Sequence, residues 1–148
     1  MNYINWFNKH ADKHKKIVDK LVKLNYTNTE IVEYFDFNNM VKEEREFCPL
    51  YKDNKKCHDM DELNCYMCAC PNFRFNDEGL SKYNGFKILS KCDINNGEEF
   101  KGKDVIHQDC SSCTVPHYKA YALENFSLDW REIMKNCNTN GDTDDTKN

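Results

Sequence analysis

The chain has 148 residues, of which 31% are charged and 39% hydrophobic, with nine cysteines and a formal net charge of −4. This length allows one domain with its own core and excludes two large ones. The mixed charge argues against nucleic acid as a partner, and no apolar run has the length of a secretory leader or the roughly 18 residues of a membrane span, so we expect a cytoplasmic protein without a membrane partner.

The first 47 residues contain no cysteine, and their pattern is helical. Apolar and aromatic residues recur at steps of three and four from Tyr3 to Leu24, which predicts one long amphipathic helix. Thr27 and Glu30 then match a capping box, the usual start of a second helix. We therefore predict a helical hairpin over residues 1–47 as a unit of its own.

Helical periodicity fails in the cysteine-rich segment that starts at Cys48. Only Phe86 to Leu89 and Lys103 to His107 predict short strands, and two Asn-Gly pairs mark turns. So little regular structure is anomalous in a compact domain, unless metal ligation contributes folding free energy.

Helical patterns return after Pro116, over residues 117–126 and then 128–137, where Ser127 is the candidate N-cap. The acidic end buries nothing and is predicted to be disordered. The predicted fold is mainly α: an N-terminal helical hairpin, an irregular central module stapled by cysteine-bound metal with few short strands, and a C-terminal helix. The predicted units are residues 1–47, 48–137 and the tail 138–148.

The nine cysteines carry the chemistry. In a reducing cytosol, their odd number and tight C-x-x-C and C-x-C spacings favour metal binding over disulfides. C-x-x-C steps let two thiolates converge on one ion, so Cys65 with Cys68 and Cys110 with Cys113 are natural half-sites. Cys137 is left over as a buried thiol on the last helix. The predicted metal ligands are Cys48, Cys57, Cys65, Cys68, Cys70, Cys92, Cys110 and Cys113.

Eight cysteines divide into two sets of four, the ligand number of a zinc ion and of a cubane iron–sulfur cluster, so we expect two centres; one centre with spare thiols is the alternative. Cys68 and Cys70 share a face if the chain is extended and diverge on a curled loop, which decides whether they hold one centre or two. Proline after Cys48 and Cys70, as in bacterial ferredoxin runs, and nearby aromatic residues favour two [4Fe–4S] clusters. Zinc is the alternative.

The run KKCHDMDELNCYMCACPNF (residues 55–73), followed by DCSSCTVPH (residues 109–117), resembles the small cysteine-rich domain family, which is described as metal-binding. The resemblance covers roughly residues 48–121 and supplies no reaction. It implies that Cys57, Cys65, Cys68, Cys70, Cys110 and Cys113 are ligands, with looser matches for Cys48 and Cys92.

Histidines add further candidates. His58 and His117 belong to the matched motifs, and Cys113-x3-His117 is compatible with a Cys3His zinc site; the alternative is a hydrogen bond to a backbone carbonyl or a sulfur. His107 lies three residues before a predicted ligand. His10 and His14 stand one helical turn apart but lack the glutamate of H-E-x-x-H, and we expect them to pack at a helix interface.

These observations predict a metalloprotein for electron transfer or redox sensing, with no catalytic residue assigned. The first alternative is a structural or regulatory zinc module. The second is an enzyme whose cluster keeps one iron open for substrate. A protein partner is expected at the N-terminal helices.

Overall fold

The computed structural model describes residues 3–68, 70–94, 96–110 and 113–139. Its first element is helix α1 (Tyr3–Lys23), which confirms the predicted amphipathic helix. No helix in the described ranges is long and apolar enough to cross a membrane. The buried face of α1 consists of Phe7, His10, Ala11, His14, Ile17, Val18 and Leu21.

Helix α2 (Asn28–Tyr34) begins with the predicted capping box, in which Thr27 and Glu30 exchange hydrogen bonds between side chain and backbone N–H. The helix ends after about two turns. The chain becomes extended at Asp36, where it bridges to Asn64 of the cysteine-rich segment. A tertiary contact thus interrupts what the sequence pattern presents as one helix.

The predicted helical hairpin is wrong. A separate helix α3 (Phe37–Glu43) follows the break. α1 packs on helix α5 (Trp130–Ile133), and α2 packs on helix α4 (Lys119–Glu124). The N-terminal helices therefore cover apolar surface supplied by the C-terminal part of the chain.

The central segment contains more strand than predicted, so a mainly α fold is also wrong: 40% of the described residues are helical and 18% are strand. The two predicted strands are present as β3 (Phe86–Ile88) and β6 (Val105–Asp109). The others are β1 (Phe73–Phe75), β2 (Ser81–Tyr83), β4 (Ser90–Cys92) and β5 (Glu98–Lys101). β1 and β4 form one antiparallel pair, and the second sheet has the order β2-β3-β6-β5, with only β3 and β6 parallel.

The missed strands lack the signals that periodicity detects. Each has three or four residues, and β2 and β5 are exposed along their whole length, so no apolar alternation marks them. Asn84 and Gly85 form the two-residue connection between β2 and β3, with φ values of 49° and 86°. Two residues at positive φ are what a type I′ hairpin turn requires, so this Asn-Gly pair predicts a hairpin and not only a turn.

The two helical patterns after Pro116 are present as the short helices α4 and α5, but the predicted cap of the second is wrong. Asp129 caps α5, because its side chain accepts a hydrogen bond of 2.9 Å from the Arg131 N–H. The Ser127 hydroxyl instead accepts from the Asp129 N–H at 3.1 Å and shapes the turn before the helix. Of the predicted disordered tail, residues 140–148 lie outside the described residues.

One hydrophobic core joins residues of the N-terminal helices, the cysteine-rich segment and the C-terminal helices. The Tyr66 hydroxyl donates to the Ser127 carbonyl at 2.6 Å, and the Trp130 indole N–H donates to the Cys68 carbonyl at 3.2 Å. The shared core and these two hydrogen bonds therefore anchor the cysteine-rich loop. The unit boundary between residues 47 and 48 stays a prediction.

Two buried histidines make the stability depend on pH. His10 and His14 pack among aromatic rings, and His10 Nε2 and His14 Nδ1 have no hydrogen-bond partner among the described residues. Burial lowers the pKa of His10 from 6.5 to about 4 and that of His14 to about 3. The unfolded chain takes up these protons below pH 6.5 and the folded chain does not, so stability is full above pH 6.5 and falls as the pH drops toward 4.

We expect a lower urea midpoint at about pH 5 than at about pH 7, and a smaller difference in His10→Phe, which keeps the ring packing and removes one titrating group. Urea unfolding followed by circular dichroism at equal metal content measures both. Lys9→Ala, at an exposed neighbouring position, should behave like the parent. An equal drop in His10→Phe would contradict the assignment.

Candidate metal centre

Six of the eight predicted ligands line one cavity of about 580 Å³. They are Cys57, Cys68, Cys70, Cys92, Cys110 and Cys113. The apolar part of the wall consists of Tyr3, Trp6, Phe73, Ile94, Val115 and Pro116. Cys48, Cys65 and the spare Cys137 lie outside this lining, and all nine cysteines, which belong to the described residues, have free thiols.

Four of these cysteines, Cys70, Cys92, Cys110 and Cys113, form what we call the four-cysteine group. Cys92 ends β4, Cys110 directly follows β6, and Cys113 precedes a short 3-10 helix. Burial, followed by the charges of the other three thiols, raises the pKa of Cys110 to about 11. As thiolates, these sulfur atoms repel one another unless a cation lies between them.

Amide donors are directed at the sulfur atoms of the four-cysteine group. The Asn96 backbone N–H donates to Cys92 Sγ at 3.3 Å, and its side-chain amide donates to Cys113 Sγ at 3.0 Å. The Asn72 side chain donates to Cys70 Sγ at 3.6 Å. Such donors stabilise a sulfur that carries negative charge, as in a metal-bound thiolate.

The position of Asn96 depends on the glycine that follows it. Gly97 has a φ of +82°, and a Cβ there would lie 2.8 Å from the Asp109 carbonyl oxygen. The Gln108 side chain donates to the Asn96 carbonyl at 2.7 Å. The tight turn and this hydrogen bond together direct the Asn96 amide toward the sulfur atoms.

Of the remaining predicted ligands, Cys48, Cys65 and Cys68 lie near Tyr51, and Cys57 lies near Cys48 and Cys65; we call these four the Tyr51 group. Burial and then the charges of Cys65, Cys48 and Cys68 raise the pKa of the Tyr51 hydroxyl. Burial raises the pKa of Cys65 to about 12 and that of Cys57 to about 11, and the Cys48 charge adds to both shifts. The eight cysteines therefore lie in two neighbouring groups of four.

The C-x-C step contributes one cysteine to each group. Cys68 belongs to the Tyr51 group, and Cys70 belongs to the four-cysteine group. Cys70 has a φ of +61°, a left-handed conformation that bends the chain sharply between the two thiols. The curled-loop alternative is therefore the one observed, which spacing alone leaves open.

The closest set of donor atoms is mixed. Cys57, His58 and His117 each offer one ligand atom, and these atoms all lie within 4.8 Å of one another. His58 Nδ1 is 3.0 Å from Cys57 Sγ, and His117 Nε2 is 3.8 Å from the same sulfur. We call this the mixed group.

Hydrogen bonds set the orientation of both imidazole rings in the mixed group. His117 Nδ1 lies 3.0 Å from the Asn64 carbonyl oxygen, and His58 Nε2 lies 2.9 Å from the Cys110 carbonyl oxygen. A carbonyl only accepts, so these nitrogens carry the proton, and the unprotonated nitrogen of each ring faces Cys57. Burial lowers the pKa of His117, which keeps the ring neutral. This is the arrangement of metal-binding histidines.

Asn64, which the sequence analysis did not single out, anchors this arrangement. Its buried side-chain amide donates to the Val32 carbonyl at 2.8 Å and to Asp36 Oδ1 at 2.7 Å. Its side-chain oxygen accepts from the Tyr66 N–H at 3.0 Å, and its own N–H donates to the His117 carbonyl at 2.9 Å. A polar residue inside a cysteine motif is the signal that indicates such a role.

His107 lines the cavity outside the mixed group. Its Nδ1 lies 2.5 Å from the Tyr3 hydroxyl, which is also 3.1 Å from Ser90 Oγ. Sequence reasoning missed that Tyr3 lines the cavity and that Ser90 contacts its hydroxyl, because the two residues come from distant parts of the chain.

No family model, curated protein or solved structure matches this chain. The resemblance to the small cysteine-rich domain family therefore rests on the quoted motifs alone and stays a prediction.

Metal binding should release protons. Thiols with pKa values of about 11 and 12, such as Cys57 and Cys65, are protonated at neutral pH and must lose the proton to become ligands. We expect zinc affinity to fall about tenfold per pH unit of acidification for each such ligand. Competition with a coloured chelator at two pH values, with a pH indicator in weak buffer, measures this.

The matched control is Cys137→Ala, because Cys137 is also buried, with a pKa raised to about 12, but lies outside the cavity. It should release as many protons as the parent. A zinc affinity independent of pH would contradict thiolate ligation.

Proposed function

We propose that this protein binds metal at the cavity, with a [4Fe–4S] cluster held by the four-cysteine group, and that it transfers electrons or senses redox state. The observation that carries the proposal is the convergence of these four thiols on one cavity with amide donors directed at their sulfur atoms. Bound there, such a cluster supplies a one-electron redox centre. Free thiols suit a reducing compartment, so a cytoplasmic location is part of the proposal.

The spacing of donors favours a cluster over a single ion in the four-cysteine group. A tetrahedral zinc ion with bonds of about 2.3 Å holds its sulfur ligands about 3.8 Å apart, whereas a cubane spreads its thiolates more widely. Among the described residues, the one set of three donors within 4.8 Å of one another is the mixed group. The cavity of about 580 Å³ also offers more room than a single ion needs.

The second predicted centre lies on the side of Cys57, where the donor set favours an ion over a second cluster. Two neutral imidazoles and one thiolate are borderline ligands that suit zinc, whereas cubane clusters are usually held by thiolates alone. We therefore propose one cluster and one zinc-type ion in place of two clusters.

A redox role requires a partner, and the start of α1 is the surface we propose for it. Tyr3 and Trp6 line the cavity at this end of the helix. The other end of α1 lies about 30 Å away by helix geometry, so a partner there would be remote from the cluster. Docking near Tyr3 and Trp6 keeps the donor and acceptor close.

Elemental analysis and visible absorption of anaerobically purified protein test the proposal. We expect a brown sample with about four iron atoms, about four sulfides and about one zinc per chain. About eight iron atoms would indicate two clusters. A colourless sample with zinc and no iron would replace the redox proposal with the structural zinc module.

Substitution of single cysteines should distinguish a metal ligand from a cysteine that only packs in the core. We expect Cys70→Ala to lose most of its iron and to become more sensitive to protease, because metal binding contributes folding free energy. Cys137→Ala should keep its full metal content, since its thiol contacts the Cys70 carbonyl and Met134 in the core. Unchanged iron in Cys70→Ala would rule out the ligand assignment.

The Asn96 side-chain amide should raise the reduction potential of the cluster. Reduction adds negative charge to a cluster, and N–H donors to its thiolates stabilise that charge. We expect Asn96→Ala to keep its iron and to have a more negative reduction potential in an anaerobic redox titration. Asn39→Ala, whose side chain bonds to the Tyr34 carbonyl, is the control and should leave the potential unchanged. Equal reduction potentials in the parent, Asn96→Ala and Asn39→Ala would show that the Asn96 amide does not affect the cluster.

A further inference from the structure

The mixed group offers three ligand atoms to an ion that prefers four. Cys57 Sγ and the unprotonated nitrogens of His58 and His117 are the three. Cys48 and Cys65 are electrostatic neighbours, but in the described part of the chain neither belongs to the set of donors within 4.8 Å. Three protein ligands with one free position are typical of reactive zinc sites, and four of structural ones.

The geometry indicates where the fourth position points. The Asn64 and Cys110 carbonyls accept the N–H of the two rings, so these nitrogens are not available to an ion, and the Asn64 contact is buried. Cys57, His58 and His117 all line the cavity of about 580 Å³. An ion bound by their three atoms therefore has its remaining position on the cavity side.

The cavity wall restricts which ligand fits there. Apart from the cysteines and histidines, the described residues of its lining include no ionisable side chain but that of Tyr3, and Tyr3, Trp6 and Phe73 supply aromatic surface. A divalent ion with one thiolate and two neutral imidazoles keeps a charge of about +1, so one anionic ligand neutralises the site, and the thiolates of the four-cysteine group in the same cavity disfavour a ligand with more negative charge. A carboxylate or phosphate would place further charged oxygens against apolar walls, whereas a thiolate concentrates its charge on one soft atom.

We infer that the mixed group is an open zinc-type site that takes an apolar thiolate from outside the protein into the cavity. The inference rests on the proposed metal binding and extends it to an external ligand. Binding is a ligand exchange: the thiol sulfur bonds to the ion, the thiol proton goes to solvent, and the water in the fourth position leaves. No electron is transferred, so no oxidant or reductant is needed.

X-ray absorption at the zinc edge tests this on the zinc-loaded full chain, with benzenethiol as the probe and phenol as the matched oxygen analogue. We expect the number of sulfur ligands on zinc in the mixed group to rise from about one to about two with benzenethiol and to stay unchanged with phenol. The zinc edge does not report thiol bound to iron.

Two results would overturn the inference: no change with benzenethiol, or four protein ligands including two or more sulfurs before it is added. Iron and zinc analysis of the same sample keeps this separate from the proposed function. A chain without any bound metal refutes both proposals, and a chain with metal but no response to thiol refutes only this one.

A variant at the cavity rim provides a second test that leaves the ligands intact. Ile94 lines the cavity and is 53% exposed, so substitution there does not disturb the core. We expect Ile94→Glu to weaken benzenethiol binding about tenfold in calorimetric titration, because the carboxylate repels the thiolate, and Ile94→Gln to weaken it much less. Zinc content should be unchanged in both. Equal affinities in the parent and Ile94→Glu would place the thiol elsewhere.

Discussion

The hydrogen bonds of Asn64 are the interaction on which the rest of this structure depends. One buried side chain joins the break between α2 and α3 to the cysteine-rich loop, and the adjacent backbone joins that loop to His117. Each of these buried polar groups would be costly without its partner. The same contacts that end α2 therefore also set the direction of the imidazole in the mixed group.

The hydrophobic core contributes to the support of the cysteine-rich segment. The cysteine-rich segment shares a core with the helices at both ends, to which Cys65, Tyr66 and Trp130 belong. On its cavity side, the thiols meet beside an apolar wall that includes Tyr3 and Trp6. The cysteine-rich loop therefore contacts the core on one side and presents thiols to the cavity on the other.

The sequence predicted what depends on local pattern and missed what depends on distant contacts. The face of α1 follows from its periodicity, and the start of α2 follows from Thr27 and Glu30. The end of α2 does not, because it requires Asn64 to arrive from another segment. The strands with exposed faces carry no apolar alternation at all.

For the candidate site too, the sequence predicted the local patterns and missed the distant contacts. Spacing identified cysteines that line the cavity, and the motif residues His58 and His117 meet at Cys57. Spacing could not show that the single N–H of each ring donates to a backbone carbonyl. The accepting carbonyls belong to Asn64 and Cys110, which only the fold brings to the rings. The tautomer that leaves a nitrogen available to a metal is thus a property of the fold.

The turn at Cys70 explains how two different donor sets can share one cavity. A residue other than glycine at positive φ costs about 1–3 kcal/mol, and it persists only where surrounding contacts impose it. Here the Cys70 N–H donates to the Met67 carbonyl, and the Cys70 carbonyl accepts from the Phe73 N–H. An extended chain would direct Cys68 and Cys70 to the same group. The strained turn instead separates them, so that one short loop supplies a thiol to each group.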